Sequence, residues 1–463
     1  MATNKSTYLI FHIILCVFII PFVSLMNSSK NGVTILSFFT IVVFSWMIFS
    51  SLQTGYKILH PYILYLFMIL GYILWAIFIE FFGLSKFRSE LWIIDNFFNT
   101  DTMKTKVILL IIYFLLFTHL GALTHKAIYP NVSFSEKTPN INHNLLISIQ
   151  KQSRILFFIF IPYFLIYTLS YVMAVLKDGY IVLYDPDNFF KVPIWLSLAD
   201  DIVRTLFWMY IATKPNFKDA KKIITIYFII LIISLGMGTR GIIFGEMIGI
   251  IAIFSYLGYT FPFKKIVGFG IVILLISPII EDFRQKETVV FEDNFIKSAI
   301  TSQGLPIYSL GATLEYENIL PDPKQKYLIG PLVEFFNNVK QTENEITGIK
   351  DIPRLPQVIS FYVSESSFFS GWGIGNTIIA EFYIFGGYWA LAFLSFLYTF
   401  LLVSFFDRYR NFTLIFISLI SLRIIFFTVR ENPMYIIVQL FLPIIIYIIL
   451  RLYFRRIVDI STR

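Results

Sequence analysis

A single cysteine, Cys16, stands among 463 residues. One thiol excludes an intrachain disulfide and any cysteine-based metal site. Charge is scarce as well: Asp, Glu, Lys and Arg make up 14% of the chain, against about 25% in ordinary soluble domains. A surface that faces lipid does not need that charge. The five histidines, His12, His60, His119, His125 and His143, form no cluster with carboxylates at metal-ligand spacing. The chain has neither a Walker A loop nor a Gly-x-Ser-x-Gly elbow, so a nucleoside-triphosphate mechanism is not supported. No metal or cofactor is expected.

What is present is apolar. Hydrophobic residues make 57% of the chain and the mean hydropathy is +0.75, which is the composition of a polytopic membrane protein. A helix needs about 20 apolar residues to cross the hydrocarbon core. By that measure the expected fold is all-α, with about 12 transmembrane helices near 7–26, 33–52, 60–82, 106–124, 154–176, 193–213, 222–237, 241–259, 264–281, 376–404, 411–429 and 433–450. The first run has no small-residue cleavage site and is followed by many more spans, so it is expected to be retained rather than cleaved. The chain divides into a bundle over 1–281, a hydrophilic loop over 282–375, and a second bundle with a tail over 376–463. The 52 Phe and 27 Tyr suit lipid-facing surface and interfacial anchors.

The net charge of +8 does not point to nucleic acid, because Lys and Arg lie in short clusters between apolar runs. With both termini cytoplasmic, the inside segments hold eighteen Lys and Arg and the short outside loops hold nine. That bias follows the positive-inside rule and puts the 282–375 loop outside the cytoplasm. The loop carries twelve Asp and Glu against eight Lys and Arg. It is no general trap for anions, so an anionic ligand would need individually placed arginines. Runs such as Ile352-Pro353-Arg354-Leu355-Pro356 are too apolar for a disordered linker, and short helices are expected there, some on the membrane surface.

Charges inside the spans are costly and therefore informative. Asp200 and Arg204 are spaced i, i+4 and can pair on one helix face, a pair that needs no role beyond satisfying itself. Asp201 lies about 100° round the same helix and needs another partner, with Arg423 as a candidate. Glu246 flanks a ridge of small residues, Gly241, Gly245 and Gly249, that lets another helix approach. Glu381 borders the point where the loop re-enters the membrane.

The stretch Gly236-Met237-Gly238-Thr239-Arg240-Gly241 separates two apolar runs. In this topology the following helix starts outside and runs inward. Its N-terminus offers free amides and the positive end of the dipole, Thr239 is a plausible cap, and Arg240 presents a planar fork to phosphate oxygens. The alternative is that Arg240 extends to lipid headgroups. With no histidine in the loop, an outer general base is expected to be a carboxylate.

Gly238-Thr239-Arg240-Gly241 resembles the Ser/Thr-Arg-Gly signature of the Wzy-type O-antigen polymerases. The run Gly371-Trp372-Gly373-Ile374-Gly375-Asn376-Thr377-Ile378-Ile379-Ala380-Glu381-Phe382-Tyr383-Ile384-Phe385-Gly386-Gly387 is similar to the glycine-rich stretch at which that family re-enters the membrane. The large outer loop between them is also the family's layout, whereas a loop without histidine departs from the related O-antigen ligases. The resemblance implies a metal-independent glycosyltransferase of the bacterial inner membrane that joins undecaprenyl-diphosphate-linked oligosaccharide repeat units at the outer face. It further implies work beside a flippase and a chain-length regulator. On that scheme Arg240, Thr239 and Gly241, with Arg284 and Arg354, bind diphosphate; Glu365 and Glu381 are candidate bases; Glu246, Asp200, Asp201 and Arg204 support the site. The rival from another class is a lipid-linked oligosaccharide flippase, which would show two related halves; the chain shows no such repeat.

Overall fold

The computed structural model describes residues 5–26, 31–83, 101–179, 182, 192–237, 240–259, 268, 305–337, 352–369 and 373–461. Among these the chain is helical, with one isolated bridge from Asn140 to Asn411. In chain order the helices are α1 (Lys5–Met26), α2 (Gly32–Gln53), α3 (Pro61–Phe81), α4 (Asp101–Ile128), α5 (His143–Asp178), α6 (Ile194–Ala212), α7 (Phe217–Met237) and α8 (Arg240–Tyr256). They continue as α9 (Leu305–Glu315), α10 (Lys326–Asn337), α11 (Leu355–Val363), α12 (Glu365–Phe369), α13 (Ile378–Asp407), α14 (Phe412–Ile425) and α15 (Tyr435–Ser461).

Eight of them are long and apolar enough to cross a membrane: α1 to α5, α7, α13 and α15. The chain is a multi-pass membrane protein. Three further expected spans are helices at the expected places that fall outside this group. α6 carries Asp200, Asp201 and Arg204, while α8 and α14 are only 17 and 14 residues long. The expected span at 264–281 lies outside the described residues. Within 282–375 the described residues form the short helices α9 to α12.

The helices belong to two compact units that draw on interleaved parts of the chain. The first holds α1 to α4, α9 to α12, most of α13 and the segment Thr428–Tyr435. Here α4 packs on α1 and α2, and α9 seats against α4 and a π-turn in α3, Leu70–Leu74. The apolar face of α9, Ile307, Leu310 and Leu314, is buried in that contact. A buried histidine inside the unit is paired through both ring nitrogens: His119 hydrogen-bonds Ser50 Oγ at 2.7 Å and Tyr62 Oη at 2.8 Å, as suits a group without access to water.

The second unit holds α5 to α8, α14 and most of α15. α5 and α6 pack along one another, and α14 lies against both α6 and α8. The glycine ridge of α8 faces α14. A Cβ on Gly245 would stand 2.5 Å from the Arg423 carbonyl oxygen, and one on Gly249 would stand 3.2 Å from Leu422 Cβ. Small residues thus let two short helices meet backbone to backbone, where dispersion contacts replace the hydrophobic effect that lipid does not supply.

Lys137, in the connection before α5, is 2% exposed and its Nζ donates to the Phe405 carbonyl at 3.1 Å. Burial pushes its pKa down to about 7, and the Asp407 carboxylate only partly opposes this. The unfolded chain holds the lysine proton up to about pH 10. Between these limits the unfolded state binds more protons, so stability rises with pH, and the cost of burying the charge is fully felt below about 7. Lys137→Met is therefore expected to raise the unfolding temperature in detergent at pH 6, by a margin that shrinks towards pH 10. A margin that grows with pH would show that the folded protein keeps this lysine charged.

Candidate functional site

In the second unit the intramembrane charges collapse into one cluster. Asp200 Oδ1 accepts from Arg204 Nε at 2.5 Å, the expected i, i+4 pair. The same guanidinium also reaches across to α8, where Nη1 donates to Glu246 Oε2. Tyr227 of α7 donates its hydroxyl to the other oxygen of Glu246. Both Glu246 oxygens are thereby occupied, in a carboxylate with no exposed surface. The guanidinium lies 5.4 Å from the Phe164 ring of α5, and Tyr227 stacks on Phe207 with ring centroids 4.0 Å apart. Asp201 feels Arg423 and Arg204 electrostatically, without a direct ion pair to either. Asp200, Arg204 and Glu246, completed by the Tyr227 hydroxyl, make an ionic lock that ties α6, α7 and α8 together.

Arg240 is the first residue of α8, as the expected helix N-terminus requires. Thr239, Arg284 and the Arg240 side chain lie outside the described residues. The Cβ side of Gly241 is packed against the end of α14: a Cβ there would enter the Phe427 ring.

In the first unit the decisive feature is a break in α13. Gly386 and Gly387 leave helical geometry, and Gly387 has φ +68°, a value that side chains disfavour. The break divides α13 into a stub, 378–385, and a run, 388–407, still long enough for a ~30 Å core. The stub is capped in order: Thr377 Oγ1 accepts from the Ala380 amide at 2.9 Å, and Asn376 Oδ1 accepts from the Thr377 amide at 2.8 Å. At its far end the Phe385 carbonyl, freed by the break, accepts from Gln325 Nε2 at 3.4 Å.

Glu381 sits on this stub and is 1% exposed. Asn376 Nδ2 donates to its Oε1 at 2.5 Å, while Oε2 is buried and, among the described residues, makes no hydrogen bond of normal geometry, although the Asn432 side chain also bears on the carboxylate. Around it stand Asn432, whose Nδ2 donates to the Tyr327 carbonyl at 2.9 Å, and Glu431, which bears on Glu381 electrostatically. Pro331 explains the Asn432 contact. It has no N–H to offer the carbonyl four residues back, Tyr327, and the side chain of Asn432 takes that place. Burial raises the pKa of Glu431, against the pull of the Asn432 amide, Arg430 and Arg354. Two residues after Glu381, Tyr383 Oη donates to Glu317, which also binds Lys106 Nζ at 3.2 Å.

Arg354 is the residue immediately before α11, pairs with Glu334 and lies 5.6 Å from the Tyr435 ring. Burial raises the pKa of Glu334, and Arg354 opposes it. Glu365, the other expected base, is exposed at the start of the five-residue α12. The structure thus brings Glu381 together with Glu431, Asn376 and Asn432, and separates Glu365 from any such shell. Asn376, Asn432, Glu431 and Tyr227 carry no sequence signal of their own, except that Asn376 falls within the glycine-rich run.

An arginine at a helix start and a buried acid on a broken helix thus stand in the two stretches that carry the sequence resemblance. The model of the family described as O-antigen polysaccharide polymerase Wzy matches residues 8–458. The chain belongs to that family. No curated protein and no solved structure matches it. As a Wzy-family polymerase it is of the glycosyltransferase type, and the family implies a lipid-linked oligosaccharide substrate in the membrane.

The lock and the Glu381 shell make different demands on a mutant of the polymerase. Glu246→Ala leaves the buried Arg204 with Asp200 but without its partner on α8, and is expected to cost up to about 3–5 kcal/mol, the range for loss of one partner from a buried pair. Replacing Arg204, Asp200 and Glu246 together by methionines should recover most of that. Unfolding in detergent measures both. A Glu246→Ala protein that keeps its stability yet loses polymer would place the cluster in the reaction instead.

Proposed function

We propose that this polymerase extends a surface polysaccharide of O-antigen type from undecaprenyl-diphosphate-linked repeat units at the outer face of the inner membrane. The growing chain passes from its lipid diphosphate to a sugar hydroxyl of the incoming unit. The bond from the anomeric carbon to the diphosphate oxygen breaks, the new glycosidic bond forms, and the hydroxyl proton goes to a carboxylate. Diphosphate leaves with the bonding pair.

One observation supports the assignment of the base: among the described residues the buried Oε2 of Glu381 makes no hydrogen bond of normal geometry, although the Asn432 side chain bears on the carboxylate beside Asn376. A carboxylate oxygen withdrawn from water and left unbonded costs free energy unless a ligand completes it. A sugar hydroxyl is such a ligand, and proton transfer to a positioned carboxylate is the general-base step the transfer needs. Asn376 pins the other oxygen and so fixes which lone pairs face the acceptor. Glu365, exposed, is the weaker candidate.

Developing charge on the diphosphate needs cations, since the leaving group is already good and little else has to be supplied. Arg240, at the N-terminus of α8, and Arg354 fill that role in this scheme, with arginine forks standing where a metal would otherwise hold the phosphates. Arg284 is retained as a third.

The test is polymerisation by purified protein in liposomes supplied only with a lipid-linked repeat unit. Glu381→Gln keeps the shape and the Asn376 contact region but removes the base, and should lower the rate at least about a hundredfold. Arg240→Ala should leave the protein in the membrane and collapse the ladder to single units. A normal ladder from Glu381→Gln would end the general-base assignment; one from Arg240→Ala would end the diphosphate assignment alone.

A further inference from the structure

α10 is built inside out for a helix in water. Its outward face carries Ile329, Val333 and Phe336, spaced i, i+4 and i+7, and they are 45%, 37% and 71% exposed. The face turned to the protein carries Tyr327, Leu328 and Pro331, all buried, and also Glu334, whose carboxylate meets Arg354. A helix bathed in water would turn the glutamate out and the phenylalanine in. The opposite choice means that the medium outside this helix is less polar than the packed interior behind it.

The position of α10 says what that medium is. Gln325, the residue before the helix, donates to the Phe385 carbonyl at the break of α13. Directly after the break the exposed side chains of α13 are Trp389, then Phe393 and Leu401, an apolar surface that faces lipid along the run 388–407. Trp389 stands where a tryptophan marks the membrane–water interface. The outward stripe of α10 therefore begins beside the end of an acyl-facing surface. At 12 residues α10 is far too short to cross. Its seat is fixed from behind: Gly330 is pressed against the Pro353 carbonyl so closely that no side chain would fit, and Asn432 holds the Tyr327 carbonyl.

We infer that α10 is an interfacial helix that lies in the headgroup layer of the bilayer, with Ile329, Val333 and Phe336 among the lipid acyl chains. This does not depend on the assignment of Glu381 or Arg240. It gives the outer segment a fixed depth at the membrane, on the same side of the α13 break as the stub that bears Glu381.

The test uses the full chain in liposomes, with Cys16 replaced by serine and single cysteines at Ile329, Val333, Phe336 and Leu328, each carrying a nitroxide. Oxygen, which partitions into lipid, should relax the label more than a water-soluble nickel chelate does at 329, 333 and 336, and both should be weak at the buried 328. Phe336→Trp gives an independent measurement: vesicles brominated near the headgroup end of the acyl chain should quench it more than vesicles brominated near the chain terminus. Stronger relaxation by the chelate at 336 would put the stripe in water and overturn the proposal. Weak relaxation by both agents, with no bromine quenching, would mean that a protein surface covers it, and would overturn it equally.

Discussion

Almost everything in this protein follows from one constraint: charges and backbone groups removed from water must find their partners within the protein. Arg204 shows it in the smallest space. One guanidinium satisfies Asp200 on its own helix and Glu246 on α8, and Tyr227 of α7 completes Glu246. Every residue from 203 to 212 is buried, so α6 is held as a central helix despite three charges that would be costly against lipid. The glycine ridge of α8 belongs to the same arrangement, because it presses α8 onto α14, the helix that carries Arg423. An exchange of the ionic set for apolar residues could be tolerated, whereas loss of one member could not. The lock sets which helices are neighbours more than how stable they are.

Backbone groups obey the same rule at the broken helix. Breaking α13 frees carbonyls that a continuous helix would satisfy, and Pro331 frees another in α10. Gln325 and Asn432 answer them from elsewhere in the same unit. Irregular backbone at this depth persists only where protein surrounds it or a polar cavity adjoins it. Both repairs lie on segments next to Glu381: Asn432 adjoins Glu431, and Gln325 binds the last residue of the stub. The compensation for a broken helix is thus what assembles the polar shell around the acid.

This division explains what the sequence disclosed. Hydrophobic run lengths located the helices, because a span is a local property, and the i, i+4 spacing of Asp200 and Arg204 disclosed their pair for the same reason. The small-residue ridge announced a close helix without saying that α14 was that helix. Glu246 stayed ambiguous because its partners are 42 and 19 residues away in the chain. The packing of Phe427 against the Cβ side of Gly241 is a contact that no local pattern could have disclosed. Gly386-Gly387 was visible as part of a family-like run, yet its meaning as a break needed the backbone. α6, α8 and α14 show the limit of the hydropathy count: they are helices at the right places, but charge in one and shortness in the others keep them out of the set defined by length and apolarity.

The two buried glutamates are the sharpest contrast in the structure. Glu246 and Glu381 are almost equally withdrawn from solvent, both lie on helices next to glycine-rich turns, and the sequence offered little to separate them. Their hydrogen bonds do. Glu246 has a donor on each oxygen, one of them a guanidinium, so its charge is neutralised and neither oxygen is left for a substrate. Among the described residues Glu381 has the Asn376 amide on one oxygen and no well-formed hydrogen bond on the other, with Asn432 and a second acid, Glu431, near it and no guanidinium bound to it. A purely structural carboxylate gains nothing from an open oxygen in a buried site, since a second donor would lower its free energy. The missing donor is therefore best supplied by something that comes and goes. On the function proposed for this chain, an acceptor sugar hydroxyl meets that description, which is why Glu381 rather than Glu246 is the proposed base.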